Sequence, residues 1–350
     1  MADTFNYRID HHGSLVRPAA LLSARECHAR GDIDTDALEE ATRSAVEEAV
    51  TFQRRLRTTV VTDGDFPRAD SLAVVLDAVT GFRRTDEATG GPARRVAEST
   101  PKATGPLLGD GVERLTSLTA LAPKVSLPSP AYLAATCFDP AATATGGPAS
   151  ARELGDALAE ILRAEIESLI SRGVRLVQLD NPLLLAHVGA DPAAHGALSF
   201  EDALAVETAT VAAITRPEGV RIGLCPGWAA PAAVDPDRIG RLYDAVAVDR
   251  WVLPFDRGTR AELDLVKALP ENRDACLGVV DPTTAALEDL DTVMARIDAA
   301  AEHKDVEDMA LSPSRGFADT ADRPLLSTEE QRRKLVLVET LARYCWGNEF

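Results

Sequence analysis

The sequence predicts an α/β fold: a single (β/α)8 TIM barrel with an inserted subregion after the second strand. Eight short apolar runs alternate with longer amphipathic segments, without a break in composition along the 350 residues. Closed barrels of this kind take roughly 250 residues, and more with insertions. The predicted strands are the runs 5–9, 58–62, 124–127, 175–179, 221–224, 245–248, 277–280 and 309–311.

The helices are predicted from apolar residues that recur every three to four positions. They cover residues 35–55, 152–172, 201–214, 259–269, 287–301 and 328–344. Thr35 and Thr328 are expected to cap the first and the last of these helices, Thr328 together with Gln331 three residues later.

Residues 64–122 are too many for one crossover between strands, and we expect them to form the inserted subregion. Gly90, Gly91 and Pro92 indicate a loop there, as does the glycine-rich stretch 105–111. We expect one domain over residues 1–350. The alternative is a linker between two domains within 64–122.

The chain is strongly acidic, with 55 Asp and Glu against 37 Lys and Arg and a formal net charge of −18. Such a charge repels the phosphates of nucleic acids and of anionic lipids. No apolar run approaches the roughly 18 residues of a membrane span, and the N-terminus lacks the basic start and apolar centre of a secretory signal. We therefore expect a cytoplasmic protein that acts on a small-molecule substrate and binds neither nucleic acid nor membranes. A homo-oligomer is compatible with these expectations.

Polar residues follow nearly every predicted strand. In an α/β barrel, the carboxyl ends of the strands and the loops after them carry the chemistry. Any one such residue could instead cap a helix, but together they indicate one polar pocket. The candidates in chain order are His11, Ser14, Arg17, Asp63, Asp65, Asp180, Asn181, Cys225, Arg250, Asp256 and Arg315.

Three of these candidates, Arg17, Arg250 and Arg315, carry the forked group that binds a carboxylate or phosphate. Asp65 and Asp180 can accept hydrogen bonds from an ammonium group, so the set suits a zwitterion. The alternative, strongest for Arg250, is that the arginines pair with aspartates and hold the barrel mouth without binding a ligand.

Common nucleotide, hydrolase and zincin motifs are absent, since GxGxxG, the P-loop, GxSxG and HExxH do not occur. The five cysteines are scattered without a CxxC pair, so neither a disulfide framework nor a zinc ribbon is expected. Cys225 stands out because it ends an apolar run directly before Pro226 and Gly227.

Four motifs resemble those of the cobalamin-independent methionine synthase catalytic barrel and its shorter methionine-synthase-like relatives. Residues 10–18, DHHGSLVRP, are similar to the family's DHVGSLLRP, and residues 61–68, VTDGDFPR, to its VTDGEFxR. Residues 177–182, VQLDNP, resemble QIDEP, and residues 311–317, LSPSRGF, resemble LSPDCGF. Four motifs in the same order give a likeness over nearly the whole chain.

The resemblance implies a zinc site that this sequence has mostly lost. In the family, zinc activates a thiol substrate and is held by the His and Cys of an HxC strand end, a Glu after the sixth strand and the Cys of PDCG. Here Gly223 and Arg315 replace the His and the last Cys, and the Glu position falls near Pro254. Because zinc needs at least three protein ligands, we expect no metal at Cys225.

Arg315 would then place a fixed positive charge where the family has its metal, holding an anionic substrate or lowering the pKa of Cys225. The alternatives for Cys225 are an inert buried thiol or a metal site rebuilt with Asp249, Asp256 or His11.

The resemblance also implies that Ser14, Asp65 and Asp180 hold the carboxylate and amino group of an amino-acid-like substrate. Asp65 is shorter than the family's Glu, and Asn181 replaces the second acid of QIDEP. The amino-group contact is therefore expected to differ.

We expect a methyl- or alkyl-transferase-like enzyme that acts without zinc on a small anionic, amino-acid-like or thiol-like substrate. No cofactor is predicted, and a folate-type methyl donor is left open. The expected catalytic residues are Cys225, Arg315, Asp63 and His11. The expected substrate-binding residues are Ser14, Arg17, Asp65, Asp180, Asn181 and Asp256.

Two other functions fit the same residues. One is a metal-independent lyase or decarboxylase similar to uroporphyrinogen decarboxylase, in which Arg315 stabilises charge and Asp63 or His11 transfers a proton. The other is a catalytically silent binding protein, against which the many polar strand ends argue.

Overall fold

A seven-stranded parallel sheet forms the centre of the computed structural model, which describes residues 7–85, 94–190 and 197–348. The strands in chain order are β1 (Val60–Val61), β2 (Val79–Arg84), β3 (Arg95–Ala103), β4 (Ala122–Pro128), β5 (Leu176–Asp180), β6 (Arg221–Cys225), β7 (Arg250–Pro254), β8 (Asp274–Val280), β9 (Met309–Pro313), β10 (Ala318–Thr320) and β11 (Arg323–Pro324). The sheet has the order β1-β4-β5-β6-β7-β8-β9, while β2 pairs with β3 and β10 with β11 in two small antiparallel sheets.

Helices connect the strands of the sheet. They are α1 (Ala19–Arg30), α2 (Thr35–Arg55), α3 (Ala73–Leu76), α4 (Gly111–Leu118), α5 (Pro130–Cys137), α6 (Pro140–Thr143), α7 (Ala151–Ser171), α8 (Leu184–His187), α9 (Phe200–Val211), α10 (Pro236–Ala245), α11 (Arg260–Lys267), α12 (Leu290–Ala301) and α13 (Thr328–Trp346). Among the described residues, no helix is both long and apolar enough to cross a membrane.

The strands are apolar because both faces of the sheet are covered. Every residue of β4, β7 and β9 is buried, as expected for a parallel sheet with helices packed on it. One cluster of buried apolar side chains extends from Ile9 to Trp346 and includes Val79 and Ala97 of the β2–β3 hairpin. The hairpin therefore shares the core of the sheet.

The first predicted strand, at 5–9, lies partly outside the described residues, which begin at Tyr7. Its described part contains an isolated bridge and not a full strand. Ile9 bridges Leu311 in parallel, and Asp10 N donates to Leu311 O at 2.9 Å. On its other side, Thr59 N donates to Ile9 O at 3.0 Å. Ile9 N in turn donates to the Thr59 side chain at 2.9 Å, so a hydroxyl replaces the carbonyl that would continue a ladder. The segment lies between β9 and the residues before β1.

The predicted strand at 245–248 is wrong. Helix α10 ends at Ala245, and β7 begins only at Arg250. Val246 and Val248 are apolar because they are buried where the helix leads into the strand, 1% and 0% exposed. Arg250 therefore occupies the first position of a strand and not the loop after one.

The other predicted helices lie close to their expected bounds, and α2 covers 35–55 as predicted. Both expected caps are off by one residue. Asp34, and not Thr35, caps α2, because its Oδ1 accepts from Ala37 N at 2.9 Å, and α13 is capped by Ser327. Ser327 Oγ accepts from Glu330 N at 3.3 Å, and Glu330 Oε2 accepts from Ser327 N at 2.7 Å. These reciprocal bonds are a capping box one position before Thr328. Gln331 instead accepts a hydrogen bond from Val16 N at 2.7 Å.

The residues between β1 and β4 have secondary structure of their own, namely α3, the β2–β3 hairpin and α4. Gly90, Gly91 and Pro92 lie outside the described residues. The predicted loop at 105–110 is held by Glu165 of α7, whose carboxylate accepts from Leu107 N at 2.9 Å.

Candidate functional site

A polar cavity of about 280 Å³ opens at the carboxyl ends of the parallel strands. This is the end at which α/β barrels carry their chemistry. Five of the predicted site residues line it: Ser14, Arg17, Asp65, Asp180 and Arg315. Further lining residues include His12, Arg68, Ser126, Tyr132, Trp228 and Asp319.

Asp180 and Cys225 are neighbours at the ends of two adjacent strands. They are Cα partners in the register of β5 and β6, so their side chains leave the same face of the sheet. Asn181 N donates to Cys225 O at 2.8 Å, which continues the ladder by one residue. Cys225 is only 1% exposed, and its Sγ lies 3.7 Å from Gly227 O.

The Cys225 side chain is a thiol and not a thiolate in this environment. Burial raises its pKa well above the ordinary value, and the Asp180 carboxylate raises it further. The guanidinium of Arg315 lies over Trp228, 4.2 Å from the ring centroid, and pairs with Asp319. The expectation that Arg315 lowers the pKa of Cys225 is therefore wrong.

Gln178 connects two polar side chains of the cavity. Its Nε2 donates to Asp180 Oδ1 at 2.7 Å and lies 3.4 Å from His12 Nδ1. Burial lowers the pKa of His12 to about 3 and raises the pKa of Asp180 to about 7. The imidazole is therefore neutral at neutral pH, the form in which histidine binds metals.

His12, Asp180 and Cys225 each offer one ligand atom, and these atoms lie within 4.8 Å of one another. Nitrogen, oxygen and sulfur are the donors that bind zinc, and catalytic zinc sites use three protein ligands and one open position. The residues present therefore fit a zinc ion, but with a ligand set other than the one implied by the resemblance. Gly223 offers no side chain, and a Cβ placed on it would lie 3.7 Å from Arg250 O.

The partners that the sequence suggested for a rebuilt site do not join Cys225. Asp249 Oδ2 accepts from Ile222 N at 2.8 Å, near the amino end of β6. His11 Nε2 lies 2.8 Å from Gln53 Oε1, and burial lowers the pKa of His11 to about 4. Burial raises the pKa of the third suggested partner, Asp256, whose side chain is hydrogen-bonded to Ser314.

Asp65 enters the cavity from a tight turn. Its φ of 58° lies in the left-handed region, which few residues other than Gly, Asn and Asp adopt. Its Oδ1 lies 3.2 Å from Arg68 Nη1 and 3.5 Å from Ser126 Oγ, and burial raises its pKa. Arg17 Nη2 donates to the carbonyls of Asp65 and Arg68 at 2.6 and 2.9 Å. Arg17 thus holds the turn as well as lining the cavity.

Five of the expected catalytic and substrate-binding residues lie outside the lining of this cavity: His11, Asp63, Asn181, Cys225 and Asp256. Asp63 Oδ1 accepts from Asp65 N at 2.8 Å and so shapes the same turn. Asn181 Nδ2 donates to the buried Glu207 at 2.7 Å. Both side chains lie outside the cavity lining and stabilise the segments that follow the strands.

Arg250 belongs to a buried ion cluster at the amino end of β7. Asp10 lies 2.6 Å from Lys124 Nζ and 3.2 Å from Arg250 Nη1, and none of the three is more than 3% exposed. Arg250 therefore pairs with an aspartate, as the alternative interpretation proposed, but its partner is Asp10 at the amino end of the strand and not an aspartate of the barrel mouth.

Several cavity residues were not among the expected catalytic or substrate-binding residues, and His12, Arg68 and Trp228 are three of them. His12 follows His11 in a segment without strand or helix periodicity, so the pattern does not show which of the two faces the cavity. Trp228 lies three residues after Cys225, and an aromatic residue directly after the Pro-Gly turn was a usable signal.

A comparison with family profiles tests the family membership that the four motifs suggested. The profile described as "Cobalamin-independent synthase, Catalytic domain" matches residues 13–328, most of the chain. The chain belongs to this family. The resemblance of the four motifs is thereby confirmed.

Two curated relatives of this cobalamin-independent synthase family member come from Bacillus subtilis. The uncharacterized protein YxjH is 27% identical over 371 residues, which cover 97% of this chain and 95% of YxjH. The uncharacterized protein YxjG is 26% identical over 364 residues, with the same two coverages, 97% and 95%.

Solved structures with similar folds carry related names. A putative vitamin-B12 independent methionine synthase from Listeria monocytogenes matches with a TM-score of 0.72 and 22% identity, covering 98% of both chains. A B12-independent methionine synthase from a Shewanella species, in complex with selenomethionine, matches with a TM-score of 0.76 and 15% identity, covering 97% of both chains. At these identities the likeness shows the fold, which is α/β with a curled parallel sheet.

Proposed function

We propose that this cobalamin-independent synthase family member transfers a methyl or other alkyl group to or from the sulfur of a small amino-acid-like thiol. The observation that carries the proposal is the strand-end cavity. His12 and Asp180 line it, the Cys225 sulfur lies within 4.8 Å of their ligand atoms, and a separate ion pair of Asp65 and Arg68 lies in the same wall.

The cavity suits a small zwitterion in size and charge. Its volume of about 280 Å³ is at the lower end for ligand sites, which indicates a small molecule. Carboxylates of Asp65 and Asp180 and guanidinium groups of Arg68 and Arg315 line the same space. A substrate with both an ammonium and a carboxylate group can therefore find a partner for each.

Ser14 and Gly316 narrow the cavity on one side. A Cβ placed on Gly316 would lie 2.1 Å from Ser14 Oγ, so the glycine leaves room for the serine side chain. We propose that Ser14 and Asp65 hold the polar end of the substrate, and that its sulfur lies towards Cys225.

The transfer forms a bond between the substrate sulfur and the alkyl carbon, and the donor leaves with the electron pair of the broken bond. The thiol proton of the substrate must be lost on the way. A zinc ion at His12, Asp180 and Cys225 would supply the positive charge that deprotonates such a thiol. The expectation of a reaction without zinc stays a prediction, which metal analysis decides.

The test follows the labelled alkyl group directly. The purified protein is incubated with homocysteine and with methyl-¹³C-labelled donors of two classes, a methyltetrahydrofolate and S-methyl thioethers, and transfer is read by NMR. Ligand binding is measured in parallel by thermal shift with methionine and selenomethionine, the latter being the molecule bound in the Shewanella protein. We expect both binding and transfer.

Two variants test whether the ligand binds in the cavity. Asp65→Asn keeps the shape and tolerates the left-handed backbone, but removes the charge, and is expected to weaken binding about 10-fold or more. Glu48→Gln on the exposed face of α2 is the control and should bind as the wild type does. Consumption of the donor without appearance of the label on sulfur would instead support lyase chemistry. Absence of binding by every amino acid and thiol would support the silent binding protein.

A further inference from the structure

We propose that His12, Asp180 and Cys225 form a binding site for zinc, built from a ligand set in which only Cys225 occupies a position that the family resemblance assigns to a ligand. The inference goes beyond the proposed function, since metal binding is a property of the protein without substrate. It is the alternative to the expectation that no metal is bound, and metal analysis decides between the two.

The geometry is close to that of a metal site. The three ligand atoms lie within 4.8 Å of one another, whereas tetrahedral zinc with bonds of about 2.0–2.3 Å separates its ligands by about 3.3–3.8 Å. Side-chain rotations that bring the atoms together by about 1 Å therefore complete the site. Asp180 and Cys225 are fixed in register by β5 and β6, while His12 approaches from the loop after the bridge at Ile9.

An unpartnered buried atom points to a missing ligand. His12 is 6% exposed, and its Nε2 has no hydrogen-bond partner in the described part of the chain, whereas Nδ1 faces Gln178. Gln178 Oε1 is also buried without a partner. Buried polar atoms are rarely left unsatisfied, because such an atom gives up its hydrogen bonds to water and gains none in return. A metal ion on the imidazole removes this cost for Nε2.

Gln178 has the position of an outer-shell partner. Its amide lies between His12 Nδ1 and Asp180 Oδ1, so one side chain contacts two of the three ligands. In metal sites, the second nitrogen of a ligating histidine donates its N–H to an acceptor, which fixes the orientation of the ring. Gln178 meets this requirement when its amide turns over and presents Oε1, the oxygen that has no partner here, to His12 Nδ1.

The Asp180 carboxylate is not paired with a cationic side chain in the described residues. No ion pair joins Asp180 to a Lys or Arg within the described residues, because Lys124 and Arg250 are occupied by Asp10. A divalent ion bound to one thiolate, one carboxylate and one neutral imidazole gives a neutral centre. This balance favours burial of the complete site.

The donor set selects the metal. A thiolate excludes Mg²⁺ and Ca²⁺, which take oxygen ligands, and the combination of sulfur, nitrogen and oxygen suits zinc. Three protein ligands leave the fourth position open, as in catalytic zinc sites. His12 and Asp180 both line the cavity, so this position faces the space proposed for the substrate.

The first test is the metal content of the full chain. The protein is incubated with zinc, dialysed against metal-free buffer and analysed for metal per chain. We expect about one zinc per chain, and X-ray absorption at the zinc edge should show one sulfur at about 2.3 Å with nitrogen and oxygen at about 2.0–2.2 Å. A metal content far below one per chain, or a zinc environment without sulfur, would overturn the inference.

Variants assign the ligands. Cys225→Ser and His12→Asn are expected to weaken zinc binding by more than the roughly 10–100-fold that outer-shell changes cause, and Gln178→Ala by about that amount. Cys276→Ser is the matched control, since this thiol is equally buried in the same cluster but faces Asp10. It should bind zinc as the wild type does. An equal loss of zinc affinity in Cys276→Ser and Cys225→Ser would contradict the assignment of Cys225 as a ligand.

Cobalt gives a readout without turnover. Cobalt(II) in place of zinc should produce a thiolate-to-metal absorption band that Cys225→Ser lacks and Cys276→Ser keeps. The absence of this band from a wild-type protein with one bound cobalt per chain would overturn the assignment of Cys225. These measurements need no substrate, so an inactive protein that binds metal at this site fails the proposed function and not this inference.

Discussion

Glu207 is a carboxyl group buried in α9 without a cation beside it. Its Oε1 accepts from Ser129 at 2.6 Å and from Asn181 at 2.7 Å, while Oε2 has no partner. Burial raises its pKa to about 7. The group therefore holds the loops after β4 and β5 in place as a neutral acid at mildly acidic pH.

Replacing Glu207 by glutamine should remove a pH dependence of stability. Because the folded-state pKa is raised, the folded protein binds the extra proton between about pH 4.5 and 7, and wild-type stability falls as the pH rises through this window. A glutamine amide carries no charge at any of these pH values, so Glu207→Gln should match the wild type near pH 5 and exceed its melting temperature by a few °C at pH 8. Calorimetry at both pH values checks this, and parallel curves for the two proteins would contradict it.

Gly316 is a position where one methyl group should close the site. Gly316→Ala places a Cβ 2.1 Å from Ser14 Oγ, which forces the serine side chain into the cavity. We expect affinity for an amino-acid ligand to fall about 10-fold or more with the fold intact, as measured by calorimetry and circular dichroism. Gly105→Ala, where a Cβ meets nothing within 4 Å, is the control and should leave affinity unchanged.

At the residue scale, the sequence predicted the polar strand ends better than their roles. Asp180 and Cys225 were predictable because each ends an apolar run, and parallel strands bring such ends together. His11 and His12 were not separable, because the segment after Ile9 has no regular period that assigns a side to each residue. Arg250 was expected in a loop after a strand at 245–248, but that strand does not form, and Arg250 begins β7.

At the scale of elements, helices were predictable and strand positions less so. Helix α2 follows a long period of 3.6 residues between clear ends, so its bounds agree with the prediction. The run at 245–248 is as apolar as a strand because Val246 and Val248 fill the core between α10 and β7. A short apolar run shows burial but not conformation, and this ambiguity accounts for the error.

The cap of α13 allows a one-residue test. Ser327→Ala removes the side-chain bond to Glu330 N and should lower the free energy of unfolding by about 1 kcal/mol. Thr328→Ala is the matched control, because Thr328 is the first helical residue and alanine has the higher helix propensity there. It should be neutral or slightly stabilising in denaturant unfolding. The opposite ranking of the two variants would place the cap at Thr328.

At the scale of the whole molecule, the cluster of Asp10, Lys124 and Arg250 joins the N-terminal segment to β4 and β7. Asp10→Asn leaves two buried cations without their anion, and we expect a loss of about 3–5 kcal/mol in urea unfolding. Asp274→Asn is the control, since Asp274 lies 3.8 Å from Arg250 at a half-buried position and should cost less than about 1 kcal/mol.

The same cluster makes the stability of the fold depend on pH in the acidic range. Burial raises the pKa of Asp10, but Lys124 and Arg250 outweigh burial and hold it below the ordinary value of 3.8. The stabilisation is therefore present above about pH 4 and is lost as the pH falls through the lower, folded-state pKa. Asp10→Asn should flatten the acid end of the stability curve, which melting temperatures between pH 3 and 6 can show.

The bridge of Ile9 to Leu311 has a consequence for the order in which the molecule is made. Leu311 lies near the end of the chain, so a ribosome adding about 5–20 residues per second needs roughly 15–60 s to reach it after Ile9. The middle strands can pair during that time, and Ile9 can pair with Thr59, but the bridge to Leu311 cannot form. His12 and Ser14 lie shortly after Ile9, so the wall of the cavity in which they meet the residues after β9 is completed only when the last strand of the sheet has been made.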